Sequence, residues 1–143
     1  MQPEIIDAPA LMKRITRERR RDGGKRAAET RRQQRPEYVL ANKMRCVIQA
    51  NPEPTVAPAS VIYFVECGAY VKVGYTKEAL LRTRMSGMIS ENPYDLTLIG
   101  TVDGGYRAEV KLHELMEEWR HKREWFHLTP LVRSAIRVLT GVQ

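Results

Sequence analysis

Cysteine is scarce in this chain and long apolar runs are missing. Two cysteines among 143 residues, Cys46 and Cys67, have no Cys-x-x-Cys spacing and no matching histidine pattern. That argues against a zinc motif and against a disulfide framework. They read as ordinary thiols of a reducing compartment. No apolar run approaches the roughly 20 residues that span a bilayer. The opening Met-Gln-Pro-Glu-Ile-Ile-Asp has neither a basic start nor an apolar core, so no signal peptide is read there. The expectation is a cytoplasmic protein. Internal repeats are also missing.

What the chain has is positive charge, unevenly placed. The formal net charge is +7, and residues 1–60 hold 13 Lys+Arg against 7 Asp+Glu, while residues 61–143 hold 11 against 10. The excess belongs to the N-terminal part, and a local basic excess is a handle for a polyanion such as nucleic acid. A solvated charged helix or a disordered arm is the plainer explanation of such a tail. Lys13, Arg14, Arg17, Arg19, Arg20, Arg21, Lys25, Arg26, Arg31, Arg32 and Arg35 crowd residues 10–35. Gly23-Gly24 should break or fray a helix there. The expectation is an exposed arm that orders on nucleic acid, with Arg17, Arg19, Arg20, Arg21, Lys25, Arg26, Arg31 and Arg32 as contacts.

Tyr38, Leu40 or Ala41, Met44, Val47 and Ile48 recur at helical spacing behind Pro36, which predicts a short helix over 36–50. Residues 51–59 contain three prolines and read as a stiff linker and a domain boundary. This divides the chain into a basic arm, helix and linker over 1–59 and a compact domain over 60–143. In that domain Val61–Glu66 and Tyr70–Tyr75 are β-branched and aromatic, which signals a hairpin. A helix over Lys77–Ile89, a strand over Tyr94–Val102 and an amphipathic helix over Tyr106–Lys122 follow. A short extended piece over Glu124–Leu128 and a helix over Pro130–Leu139, capped by Thr129, complete the order. The expected fold class is α/β, a three-stranded and mostly antiparallel sheet flanked by helices.

The hairpin register decides where chemistry can gather. A two-residue turn at Cys67-Gly68 sets Tyr63 opposite Lys72, and a three-residue loop sets it opposite Val73. The first register is favoured, because it groups Tyr63 with Lys72 on one face and leaves Ile62, Phe64, Val71 and Val73 for the other. A free phenol ionises near pH 10, at about the value of model peptides, and is a poor base at neutrality. A cation within hydrogen-bond range favours the phenolate, so Tyr63 beside Lys72 suits proton transfer from water. A half-buried strand tyrosine next to a snorkelling lysine is the plainer alternative.

This stretch resembles the GIY-YIG nuclease superfamily. Val61-Ile-Tyr-Phe stands where that family has Gly-Ile-Tyr, and Val71-Lys-Val-Gly74 where it has Tyr-Ile-Gly. The pattern is closer to a phage-type branch with a Val-Lys-Ile-Gly second motif, a Glu-x-x-x-His helix and a Gly-Glu-Trp-Phe ending. Here Glu109-Val-Lys-Leu-His113 and Arg123-Glu-Trp-Phe126 stand at those places, and Asn92–Leu96 looks like the link into the third strand. The resemblance covers about residues 60–130.

The resemblance implies a set of roles. Tyr63 is the general base or the group that positions the nucleophile, and Lys72 replaces the second tyrosine. The helix arginine falls on Arg84 when counted back from Pro93, or on Arg82 when counted forward from Gly74; Arg84 is preferred. A planar guanidinium there would hold two phosphate oxygens. The family's helix histidine falls on Met88 or Ser86 and is missing. Glu109 is the single metal ligand for Mg²⁺ or Mn²⁺, a normal arrangement for an ion that keeps several waters. A glutamate in a first helical turn is also a good dipole partner. His113, one turn on, would orient Glu109, touch phosphate or simply pack. Glu124 and Trp125 read as structural, and His121 and His127 have no assignment. The implied function is a metal-dependent endonuclease of GIY-YIG type acting on nucleic acid, DNA for preference, in a phage or mobile element. A domain that binds nucleic acid without cutting is the alternative, and a regulatory phage protein is a weaker third.

Overall fold

Asp7 starts the first helix, accepting the Ala10 N–H on its carboxylate at 3.4 Å. The computed structural model describes residues 7–54 and 59–142, so positions 55–58 of the proline-rich linker and the first six residues lie outside the described residues. Two units are distinct, the chain up to Arg35 and the chain from Pro36 onward.

The first unit is one helix, α1, over Ala8–Gln33, and none of its residues is buried. The expected break at Gly23-Gly24 does not occur. Each glycine costs about 1 kcal/mol relative to alanine, but the flanks are arginine, lysine, alanine and glutamate, all strong helix formers. The Arg14–Glu18 pair at 3.3 Å and the Gln33–Glu29 hydrogen bond at 2.7 Å add support one turn apart. At 3.6 residues per turn, Lys13, Arg14, Arg17, Arg20, Arg21, Lys25, Arg31 and Arg32 fall within an arc of roughly 140°. Arg19 and Arg26 lie outside it. The arm is therefore a rod with a cationic stripe.

The second unit contains α2 (Pro36–Ala50), β1 (Ser60–Cys67), β2 (Tyr70–Lys77), α3 (Leu81–Glu91), β3 (Thr97–Asp103), α4 (Tyr106–Leu115), β4 (Arg120–Lys122), β5 (Trp125–His127) and α5 (Pro130–Thr140). The sheet has five antiparallel strands in the order β3-β1-β2-β5-β4, which corrects the expected three. The error lies where helical periodicity appeared to run on to Lys122. Instead α4 stops at Leu115, and a 3₁₀ turn over Glu117–Trp119 leads into β4. Arg120 makes this possible. Its guanidinium bonds Glu117 at 2.6 Å and the Arg123 carbonyl, and lies over the Phe126 ring at 5.1 Å. Strands of three residues leave little alternation to read.

The core lies on one face of the sheet. Ile62 and Phe64 of β1 and Val71 and Val73 of β2 meet Ala108, Leu112 and Met116 from the α4 segment and Val132, Ala135 and Ile136 of α5. Leu40, Ala41 and Met44 of α2 are buried in the same cluster. Helix α2 thus belongs with the compact unit, and the boundary falls before Pro36 rather than at the linker. Thr129 caps α5 by accepting the Val132 N–H at 3.2 Å, with Pro130 in the first turn, as the sequence predicts. Arg133 on α5 grips Glu66 of β1 with both guanidinium nitrogens, at 2.8 and 2.5 Å, and this holds the Glu66 carboxyl below its ordinary range.

The β1–β2 turn is Gly68-Ala69, with Gly68 at a φ of +58°, one position later than expected. Cys67 pairs with Tyr70 and Tyr63 pairs with Gly74, so neither register considered for Tyr63 is the one formed. The shift relative to the favoured register is two residues. An even shift keeps every side chain on its face, so Tyr63 and Lys72 still share one, as diagonal rather than direct neighbours. The Tyr63 ring lies over Gly74, where an added Cβ would sit 2.4 Å from the phenol oxygen. With Tyr63 only 1% exposed, the ring has nowhere to retreat. Gly74→Ala is expected to destabilise the domain by about 1–3 kcal/mol, measured by urea unfolding; an unchanged midpoint would show that the ring can move.

Candidate active site

Strand β5 pairs with β2 only over Tyr70, Val71 and Lys72. Beyond Lys72 the outer edge of β2 has no neighbouring strand, and its backbone groups need other partners. The Val73 N–H donates to the Glu124 carbonyl at 3.1 Å. The Val73 carbonyl accepts from His113 Nε2 at 2.8 Å, so Nε2 carries the imidazole proton in this contact. The Tyr75 N–H donates to the Glu109 carboxylate. Glu109 and His113 are one turn apart on α4, which lays both along this edge, with Nε2 3.6 Å from the nearer Glu109 oxygen.

Glu109 is 6% exposed, the one buried charged residue among the described residues. Burial drives its pKa up from an ordinary 4.5 to about 7, and the nearby Glu124 carboxylate adds to the rise. The Tyr75 N–H, Lys72 and Arg84 pull the other way without cancelling it. Lys72 lies 3.7 Å from Glu124. The phenol partner expected for Lys72 is taken instead by Arg84 of α3, whose guanidinium bonds Tyr63 and is held firmly charged by it. Tyr63, Lys72, Arg84, Glu109 and Glu124 are thus linked by contact or electrostatic reach around the open stretch of β2.

A cleft of about 480 Å³ opens beside them, lined by residues that include Lys72, Thr76, Arg84 and Met88. Arg82 is exposed and is not among the lining residues; two positions along a helix turn it roughly 200° from Arg84. His113 meets the β2 backbone and the Phe126 ring, with centroids 5.3 Å apart. His121 and His127 stand in a ring cluster with Tyr70, at 4.4 and 5.4 Å. The basic residues of α1 lie in the separate first unit.

Two participants escaped the sequence reading. Glu124 was read as structural, yet its carboxylate faces Lys72 and perturbs Glu109. It gets there because Arg123 takes a positive φ of 54° and turns the chain between β4 and β5, and an arginine gives no advance sign of that. Tyr75 contributes a backbone N–H, which sequence does not mark at all.

A family model, the T5orf172 domain, matches residues 60–142. The chain belongs to the T5orf172 domain family. This corrects the resemblance to the GIY-YIG superfamily, for which no family model matches. The letters that suggested it are short motifs on β1, β2, α4 and the β4–β5 turn, and at one of them, Gly74, the Tyr63 ring leaves no room for a Cβ. No curated protein and no solved structure matches the chain. Among the described residues of this T5orf172 protein no helix is long and apolar enough to cross a membrane.

The raised Glu109 pKa carries a cost that depends on pH. Between 4.5 and about 7 the folded state binds the extra proton, so stability falls as pH rises through that window and is unaffected below it. Above it the penalty approaches about 3 kcal/mol. Glu109→Gln, neutral at every pH, is expected to unfold later in urea than wild type at about pH 8, by about 1–3 kcal/mol, and to match it at about pH 4. A constant difference across the range would mean that Glu109 titrates normally.

Proposed function

We propose that this T5orf172 protein is a metal-dependent endonuclease that hydrolyses phosphodiester bonds of DNA, acting in the cytoplasm. The observation that carries the reading is a buried, proton-prone carboxylate within electrostatic reach of two cations that line an open cleft. The family's association with nuclease-like and DNA-binding domains of phages and mobile elements supports it, as does the cationic stripe of α1.

The donor set fits a magnesium or manganese ion. Glu109 has lone pairs beyond the one that accepts Tyr75, and Glu124 lies within electrostatic reach. Mg²⁺ takes one or two carboxylates, completes its shell with waters and phosphate oxygens, and supplies Lewis-acid stabilisation when bound. Among the described residues no three His, Cys, Asp or Glu side chains gather on one point, so affinity without nucleic acid should be weak.

The remaining steps belong to the chain's own groups. Arg84 presents its guanidinium to non-bridging phosphate oxygens and stabilises charge as a water oxygen bonds to phosphorus and the bond to one sugar oxygen breaks, the water's proton passing through solvent and the sugar oxygen leaving as a hydroxyl. Tyr63, buried and bonded to Arg84, fixes the direction of that fork. Lys72, balanced by Glu124 in the free protein, turns to phosphate when substrate arrives. His113 holds α4 and hence Glu109 against β2. The α1 stripe adds affinity through phosphate contacts that do not read sequence.

A domain that grips nucleic acid without cutting is the second reading, favoured by the sparse donor set. Supercoiled plasmid separates the two. The nuclease reading expects Mg²⁺- or Mn²⁺-dependent nicking that Glu109→Ala abolishes and Arg84→Ala lowers about a hundredfold, with DNA retention intact in both. It also expects activity to fall as pH drops below about 7, where Glu109 takes up its proton; a bound cation shifts that limb to lower pH. Wild-type protein that retains DNA but never nicks it would establish the binding module.

A further inference from the structure

Two exposed tyrosine rings stand beside this site, and neither ring has a part in the chemistry above. Tyr75 of β2 is 39% exposed and Tyr106, the first residue of α4, is 57% exposed. Their ring centroids are 5.7 Å apart with planes at 60°. At that tilt the rings neighbour each other without stacking, and both side chains stay open to solvent. Neither is placed by core packing: both lie outside the apolar cluster. Tyr75 is tied to the site, because its N–H bonds Glu109 and its phenol lies within electrostatic reach of Arg84, and Tyr106 meets Tyr75 from the start of the helix that carries Glu109. Strand parity sends the Tyr75 side chain to the face opposite Lys72 and Thr76. The aromatic pair and the cationic cleft therefore flank β2 on its two sides.

We propose that Tyr75 and Tyr106 form a stacking platform for an unpaired nucleobase whose strand crosses the β2 edge, with its phosphate at Lys72 and Arg84. A base in a duplex has both faces covered and cannot use such a platform. The proposal therefore names the substrate class as single-stranded nucleic acid, or a duplex with an unpaired nucleotide at the reacting phosphate. It rests on the reading of the cleft as a phosphate site and deepens it. Tyrosine suits the role because stacking accepts any base and needs no hydrogen-bond code.

The test uses the full chain in EDTA, so that binding is read without cutting. Fluorescence anisotropy compares a labelled single strand with a blunt duplex of the same length, at two salt concentrations. The Tyr75→Ala/Tyr106→Ala double variant is expected to lose about tenfold in affinity for the single strand at both salts and to keep duplex affinity. The Tyr75→Phe/Tyr106→Phe variant, which keeps the rings, is expected to bind as wild type does. A 2-aminopurine in the single strand should be quenched by wild type and by the Phe variant and not by the Ala variant. Equal losses on both nucleic acids, a Phe variant as weak as the Ala variant, or an unaltered Ala variant would each overturn the proposal. Circular dichroism confirms that the Ala variant is folded, which two exposed side chains permit. The nuclease reading fails separately, by absence of nicking, and that result leaves the single-strand preference measurable.

Discussion

Past Lys72 two backbone groups on the outer edge of β2, the Val73 carbonyl and the Tyr75 N–H, are satisfied by side chains of a helix instead of a strand, and the rest of the site follows from this substitution. An open sheet edge presents backbone donors and acceptors that must be paired. Glu109 and His113, one turn apart on α4, take the Tyr75 N–H and the Val73 carbonyl. The bond to Tyr75 draws a carboxylate into a place where solvent hardly reaches it. Fully solvated, Glu109 would titrate normally; left buried without that N–H, Lys72 and Arg84, it would be still harder to ionise.

The charges around it are arranged in opposition. Two carboxylates, Glu109 and Glu124, repel one another, while Lys72 and Arg84 attract them from the cleft side. Arg84 is aimed by a phenol that Gly74 allows to lie flat on the neighbouring strand. Each member has a structural reason to be where it is. Together they set a proton-prone carboxylate and two cations around one stretch of β2, the arrangement on which the proposed cation and phosphate sites rest. Perturbed ionisation beside a cleft marks a candidate site.

The sequence reading succeeded where signals were local. The Thr129–Pro130 helix start, the hairpin strands and the shared face of Tyr63 and Lys72 are set by capping, β-branched residues and parity. It failed where tertiary contacts override local preference. Arg120 and Arg123 turn what reads as the end of a long helix into a strand pair, which carries Glu124 to the site. The Gly23-Gly24 pair was overweighted against a flank of strong helix formers. Helix α2 was assigned to the arm because a proline-rich stretch follows it, although its apolar face already required a core. The family resemblance rested on several short motifs, and at one of them, Gly74, close packing of the Tyr63 ring is reason enough for the residue.

The central claim is that Glu109 is a buried, proton-prone carboxylate poised for a cation. A carbon-detected NMR titration of the Glu109 side-chain carboxyl tests it most directly. The account predicts a midpoint near 7 in the free protein and a clear fall in that midpoint when Mg²⁺ and a non-cleavable oligonucleotide are added. A midpoint at the ordinary value of 4.5, unmoved by either addition, would contradict it.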